Sequence, residues 1–396
     1  MAERDERNSG QPNFIKSQVN QFLHSLSSSP TEEDFVVTYC DIFWTIISVF
    51  GRIISIGITI NVAFNYYRND QMNYFAWTVS CFVLPMLVTT FLQITIYLQD
   101  FNASHSSKPP SFCEILWFVI VFPFLFRYCQ SLTYAIASKR AERANNREDQ
   151  KKYFELLIHE DSDVALIRIF ECFLEVAPQK ILQITIILGE GRMNVPQILS
   201  ILSSFLSMAW CIASYHRCIR FSQVDKANIS WWGTIMQWLC HFLVSVSRVL
   251  SIAAVASIFP KWTLIGCSVH AMSMALWIFL FDRSPFCATS MFHSFAFSLV
   301  LGMVFIFNYI LPKVRRTRYR YAIFYSICFV ENVACVYFFY NYASHDTMEK
   351  NYFIFICVLA IVPFALGIAF MIIYYTKFHP NIIVRRDVDC VPSESS

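Results

Sequence analysis

Glu171 and Glu175 stand four residues apart in FECFLEVAPQKILQ (170–183), a stretch set inside a long apolar segment. On a helix, residues four apart share a face, so Glu171, Glu175, Gln179 and Gln183 form one polar row, with Arg168 a turn ahead of Glu171. Each carboxylate near the centre of a bilayer costs about 2.5–3.5 kcal/mol, and two on one face also repel each other. That face must therefore meet protein or water rather than acyl chains. Pro178 removes a backbone donor and loosens the helix beside the row. Lys180 projects to another side. Counter-charges must come from other elements, and Arg52, Arg127 and Arg248 are available in apolar stretches; Glu331 adds a further acid in the second half of the chain. Such a row suits two roles: a buried ion network that fixes helix register, or the lining of a hydrophilic path along which a polar group moves.

The elements that carry these residues belong in a membrane. The 396 residues are 56% hydrophobic and only 15% charged, against roughly 25% charged in soluble domains. Net charge is +3, too small to indicate nucleic acid as a partner. The polar N-terminus carries no apolar run of the kind a secretory signal needs, so the first span is expected to act as its own insertion signal. The 14 cysteines are scattered singly, without CxxC, and read as small packing residues. His241, His270 and His293 read as packed, hydrogen-bonded groups. No metal site, cofactor site or catalytic constellation is visible: there is no HExxH, no GxSxG and no Gly-rich phosphate loop. The chain is not expected to be an enzyme.

Ten apolar segments can be marked, at 42–64, 74–98, 112–136, 164–188, 195–215, 232–258, 262–281, 291–311, 321–343 and 352–376. Each approaches the roughly 20 residues that a helix needs to cross hydrocarbon. Basic loops stay in the cytoplasm, and they fall at 138–152, 216–226 and 313–320, with Lys377, Arg385 and Arg386 in the tail. Between them lie three, two, three and two segments. If the N-terminus and all four basic regions share the cytoplasmic side, each group of three contains one segment that does not cross. The fold predicted is all-α and polytopic, with eight transmembrane helices plus two re-entrant helices in two parallel repeats. The predicted organisation is a cytoplasmic tail at 1–34, a first membrane repeat at 35–216, a basic connector at 217–230, a second repeat at 231–376 and a cytoplasmic tail at 377–396. Asn102 opens the sequon Asn102-Ala103-Ser104 in the loop before the third segment. Its glycosylation would place that loop outside.

DVALIRIFECFLEVAPQKILQ (163–183) closely resembles the signature of the XK-related membrane protein family, roughly D-x3-L-x-R-x-F-E-x-F-L-E-x-A-P-Q-x-x-L-Q. SYHR (214–217), SRVLSIA (247–253), IFPKW (258–262), ENV (331–333) and YYTKFHP (374–380) extend the resemblance along the chain. The resemblance implies the same architecture of eight spans, two re-entrant helices and two repeats. It also implies that the chain could be a phospholipid scramblase of the plasma membrane that exposes phosphatidylserine on dying cells after a caspase trims a cytoplasmic tail. Other members do not scramble, and one is the disulfide-linked partner of a metalloprotease-like membrane protein. Two departures bear on this. Gly57 and Asn61 stand roughly where scrambling members carry acids in the first span. The best caspase sequences, ending at Asp389 and Asp34, are poor: Asp389 precedes Cys390 and would release only seven residues, and Asp34 sits against the membrane.

The leading expectation is energy-independent movement of membrane phospholipids, with Arg168, Glu171, Glu175, Gln179 and Gln183 lining the route and Arg127, Arg248 and Glu331 balancing charge. Membrane phospholipids, a caspase and a membrane-protein subunit are the candidate partners. A non-scrambling scaffold and a small-solute transporter are the alternatives.

Overall fold

The computed structural model describes residues 37, 39–103, 126–190, 195–221, 229–281, 291–310, 318–349 and 352–379. They are helical throughout apart from short turns. Helices α1 (Tyr39–Arg68) and α2 (Met72–Ala103) form a hairpin that turns at Asp70, whose φ of 54° is a left-handed conformation that a short Asx side chain tolerates. Because α2 runs to Ala103, the backbone of Asn102 lies in its last turn and not in a loop.

A second hairpin joins α3 (Phe126–Arg143) to α4 (Arg147–Phe170). The basic stretch 138–152, expected as a loop, is helical on both sides of a turn at 144–146. Lys, Arg, Glu and Ala are strong helix formers, and Lys139 bridges Glu142 one turn on, at 2.9 Å. Asn145 takes φ 55° to end α3, and the Asn146 side chain accepts from the Asp149 N–H to start α4.

Helix α4 continues without a break through a π-helical turn (Glu171–Val176) into α5 (Ala177–Glu190). There follow α6 (Val195–Phe221), α7 (Trp231–Ile258), α8 (Pro260–Phe281), α9 (Met291–Val304), α10 (Arg318–Tyr342), the single turn α11 (His345–Met348) and α12 (Tyr352–Ile373), which ends in a second π-turn (Tyr374–Phe378). The hydroxyl of Ser230 accepts from Gly233 N–H and caps α7.

Among the described residues, eight helical runs are long and apolar enough to cross a membrane: stretches of α1, α2, α4 through α5, α6, α7, α8, α10 and α12. This is the number that the basic loops require. Helix α9, with 14 residues, spans only about 21 Å at 1.5 Å per residue, short of a hydrocarbon layer about 30 Å thick. Helix α3 is not among the eight, and residues 112–125 of the third apolar segment lie outside the described residues, as do Asp34 and Asp389.

Helix α7 is the hub: 67% of its spanning window is buried, against 11% for α1. It packs on α5, α6, α10 and α12. Phe50, Ile54, Leu264, Leu280, Val330 and Phe355 are exposed on the outer helices, as apolar side chains facing lipid would be. Gly302 of α9 lies against the backbone of α8. A Cβ there would overlap the Ala271 carbonyl oxygen and come within 2.9 Å of the Ala275 nitrogen.

Candidate functional site

The glutamates of the polar row face protein. Glu171 is 5% exposed and Glu175 is 2%. Arg52, carried in by α1, donates to Glu175 Oε2 at 2.9 Å and to Oε1 at 3.4 Å, and its Nε lies 3.4 Å from Glu171. Tyr128 on α3 donates its hydroxyl to Glu171 at 3.0 Å, and the Arg168 guanidinium lies 5.3 Å over the Tyr128 ring. One arginine and one phenol, from two different helices, thus satisfy two acids that would otherwise repel each other.

The π-turn sits at this point for a local reason. Pro178 has no N–H, and its ring would crowd the carbonyl four residues back. The chain responds one turn earlier, where Ala177 N–H bonds to the Cys172 carbonyl, five residues back.

Two further polar tiers flank the glutamates on the same helical run. Toward its start, Arg127 of α3 donates to Glu160 at 2.9 Å and lies 3.3 Å from Asp163, while Ser131 donates to Asp161 at 2.5 Å. Toward its end, Lys180 donates to Gln183 at 3.0 Å and to Ser200 of α6 at 3.1 Å. The side-chain nitrogen of Gln179 is buried and has no hydrogen-bond partner among the described residues. From Glu160 to Gln183 the ladder covers about 35 Å at 1.5 Å per residue, comparable to the hydrocarbon thickness of about 30 Å.

The second half of the chain has a matching pair. Arg248 of α7 donates to Glu331 of α10 at 2.8 Å, to Asn332 at 2.8 Å and to the Ile306 carbonyl at 2.9 Å. Glu331 also meets His270 Nδ1 at 2.7 Å. Arg248, His270 and Glu331 form the charged floor of a cavity of about 600 Å³ whose walls include Ile252, Val255, Phe259, Trp262 and Phe338. Apolar walls over a charged floor suit an amphiphile. In each half, the arginine comes from the first apolar segment and the glutamate from the fourth.

The expected residues thus fall into separate groups. Arg168, Glu171 and Glu175 come together with Arg52 and Tyr128; Arg248 pairs with Glu331; Gln183 joins Lys180. Arg127 balances Glu160 and Asp163 rather than the paired glutamates. Glu160, Asp161, Ser131 and Tyr128 were not singled out from sequence, although Glu160 and Asp163 sit three apart on the same helix. His241 bonds to Asn308 at 3.1 Å, and His293 stacks on Phe91 with centroids 6.0 Å apart.

Fold and site together define a polytopic α-helical membrane protein with ion pairs buried through the depth of its bundle. The family model for XK-related protein matches residues 43–380, and the chain belongs to that family. It is similar to XK-related protein 8 of Pan troglodytes, at 24% identity over 332 residues, covering 81% of this chain and 80% of that one.

Proposed function

We propose that this protein lets phospholipids exchange between the leaflets of the plasma membrane without nucleotide energy, with both termini in the cytoplasm. The observation that carries this reading is the ladder on α4 through α5. Its polar groups follow one another over about 35 Å of helix, a length comparable to a hydrocarbon layer of about 30 Å, so a headgroup could pass from tier to tier while its tails stay in lipid. The amide nitrogen of Gln179, which has no hydrogen-bond partner among the described residues, offers such a headgroup a donor. Helix α9 and the segment around α3 are the two re-entrant elements in this reading, one in each of two parallel repeats. With those two set aside, every basic region falls on one side. Exposure of phosphatidylserine in dying cells after tail cleavage is the physiological setting that the family resemblance favours.

A second reading, a non-scrambling membrane subunit, is favoured by the closure of the Arg52 ion pairs, which occupies the charges it would share with a substrate.

Liposomes containing the protein and dye-labelled lipid, challenged with external dithionite, test the choice. Bleaching that runs past the outer leaflet supports exchange. Bleaching that stalls there, for intact and tail-trimmed protein alike, rejects it. Glu171→Gln then separates path from scaffold: a folded variant with altered flux supports a path, and an unfolded one supports a register role.

A further inference from the structure

We propose that the cavity between α7, α8 and α10 binds a long-chain carboxylate, a free fatty acid with its head on the cluster of Arg248, Glu331 and His270 and its chain along the apolar walls. The cavity lies apart from the ladder on α4 and α5, and this inference does not rest on lipid exchange.

The charge of the cluster carries the argument. His270 Nε2 lies 3.2 Å from the Phe305 carbonyl, which can only accept, so Nε2 bears a hydrogen. Nδ1 lies 2.7 Å from Glu331 Oε1, and two acceptors do not approach so closely without a proton between them. Whichever of the two atoms holds that proton, His270 and Glu331 together are neutral. The guanidinium of Arg248, 2.8 Å from the other Glu331 oxygen, then leaves the cluster with one positive charge. Among the described residues, Glu331 is the one acid that lines the cavity. A buried charge without a counter-ion is costly, so the site calls for a single anion. Arg248 keeps a donor for it. Its guanidinium bonds to the Ile306 and Cys328 carbonyls, Asn332 and Glu331, and an arginine has one N–H more than that.

The walls select the rest of the ligand. Ile252, Val255, Phe259, Trp262 and Phe338 are apolar, so a strongly hydrated ion such as phosphate would lose water there and gain little. A cavity of about 600 Å³ is of the size that holds one small ligand. Its lining follows α7 from Arg248 to Phe259, about 16 Å at 1.5 Å per residue, a length that suits one acyl chain.

Full-length protein in maltoside micelles would be photolabelled with palmitic acid carrying a diazirine in its chain, and the labelled peptides read by mass spectrometry. The expected label falls on the cavity walls of α7, α8 and α10. Oleate should displace it; oleyl alcohol, sodium phosphate and two-chain phosphatidic acid should not. His270→Gln removes the surplus charge, so about ten-fold more oleate should be needed. Val255→Trp fills the apolar space without touching the floor and should abolish the label, which keeps the test decisive if His270→Gln fails to elute as folded protein. Label absent from those walls, or retained by folded Val255→Trp, overturns the site. Displacement by oleyl alcohol or phosphate as effective as by oleate, or stronger displacement by phosphatidic acid, overturns the choice of ligand.

Discussion

Arg52 and Glu175 are 123 residues apart in the chain, yet two guanidinium nitrogens of one lie 2.9 and 3.4 Å from the two carboxylate oxygens of the other. Both side chains are buried, at 8% and 2% exposure. The pair joins a weakly buried outer helix to the centre of the bundle. Its geometry makes its removal measurable.

Arg52→Met leaves two uncompensated carboxylates in the interior. Breaking a buried pair by removing one partner costs about 3–5 kcal/mol, so the thermal midpoint in detergent should fall sharply. Replacing Arg52, Glu171 and Glu175 together by Met, Gln and Gln should recover most of that loss.

Tyr128→Phe removes one donor from Glu171 and no packing atoms. An acceptor left short in the interior costs about 1–3 kcal/mol. Chemical denaturation of the purified protein should show a loss in that range, smaller than for Arg52→Met.

Gly302→Ala forces α9 away from α8, because the added methyl meets backbone atoms that cannot rotate aside. Overpacking of this kind costs about 1–3 kcal/mol. Thermal unfolding should show the loss, and Gly266→Ala, where nothing lies within 4 Å of the added atom, should not.

Asn102 follows two candidate spans, Thr45–Arg68 in α1 and Met72–Leu92 in α2. With the N-terminus in the cytoplasm, the second crossing returns the chain to that side, where the sequon stays unmodified. Endoglycosidase treatment of protein from a eukaryotic host should therefore leave the mobility of the wild type and of Asn102→Gln unchanged at this site.

Much of the fold could be read from hydropathy and loop charge, because insertion in a bilayer leaves helices few alternatives. The buried face of the fourth segment was legible for the same reason: Glu171 and Glu175 share a helical row and could not meet lipid. The partners were harder. Arg52, Arg127 and Arg248 were visible as candidates, but spacing along a chain does not state which helix lies against which. Arg127 serves Glu160 and Asp163, which stand just before the fourth apolar segment, so hydropathy did not draw attention to them as its partners. The basic run 138–152 misled because its charge marks a side of the membrane while its residue types favour helix. The partner of His270 was not legible because Glu331 lies 61 residues further along the chain on another helix, so no short motif contains both.

The π-turn at Glu171–Val176 has a geometric consequence for the residues beyond it. A row of every fourth residue winds about 40° around an α-helix at each step, or roughly 120° from Glu171 to Gln183. One surplus residue held in a wide turn cancels about 100° of that winding. The proline that interrupts the backbone thereby straightens what would otherwise be a spiral, and gives the bilayer a polar seam that runs nearly parallel to the helix axis.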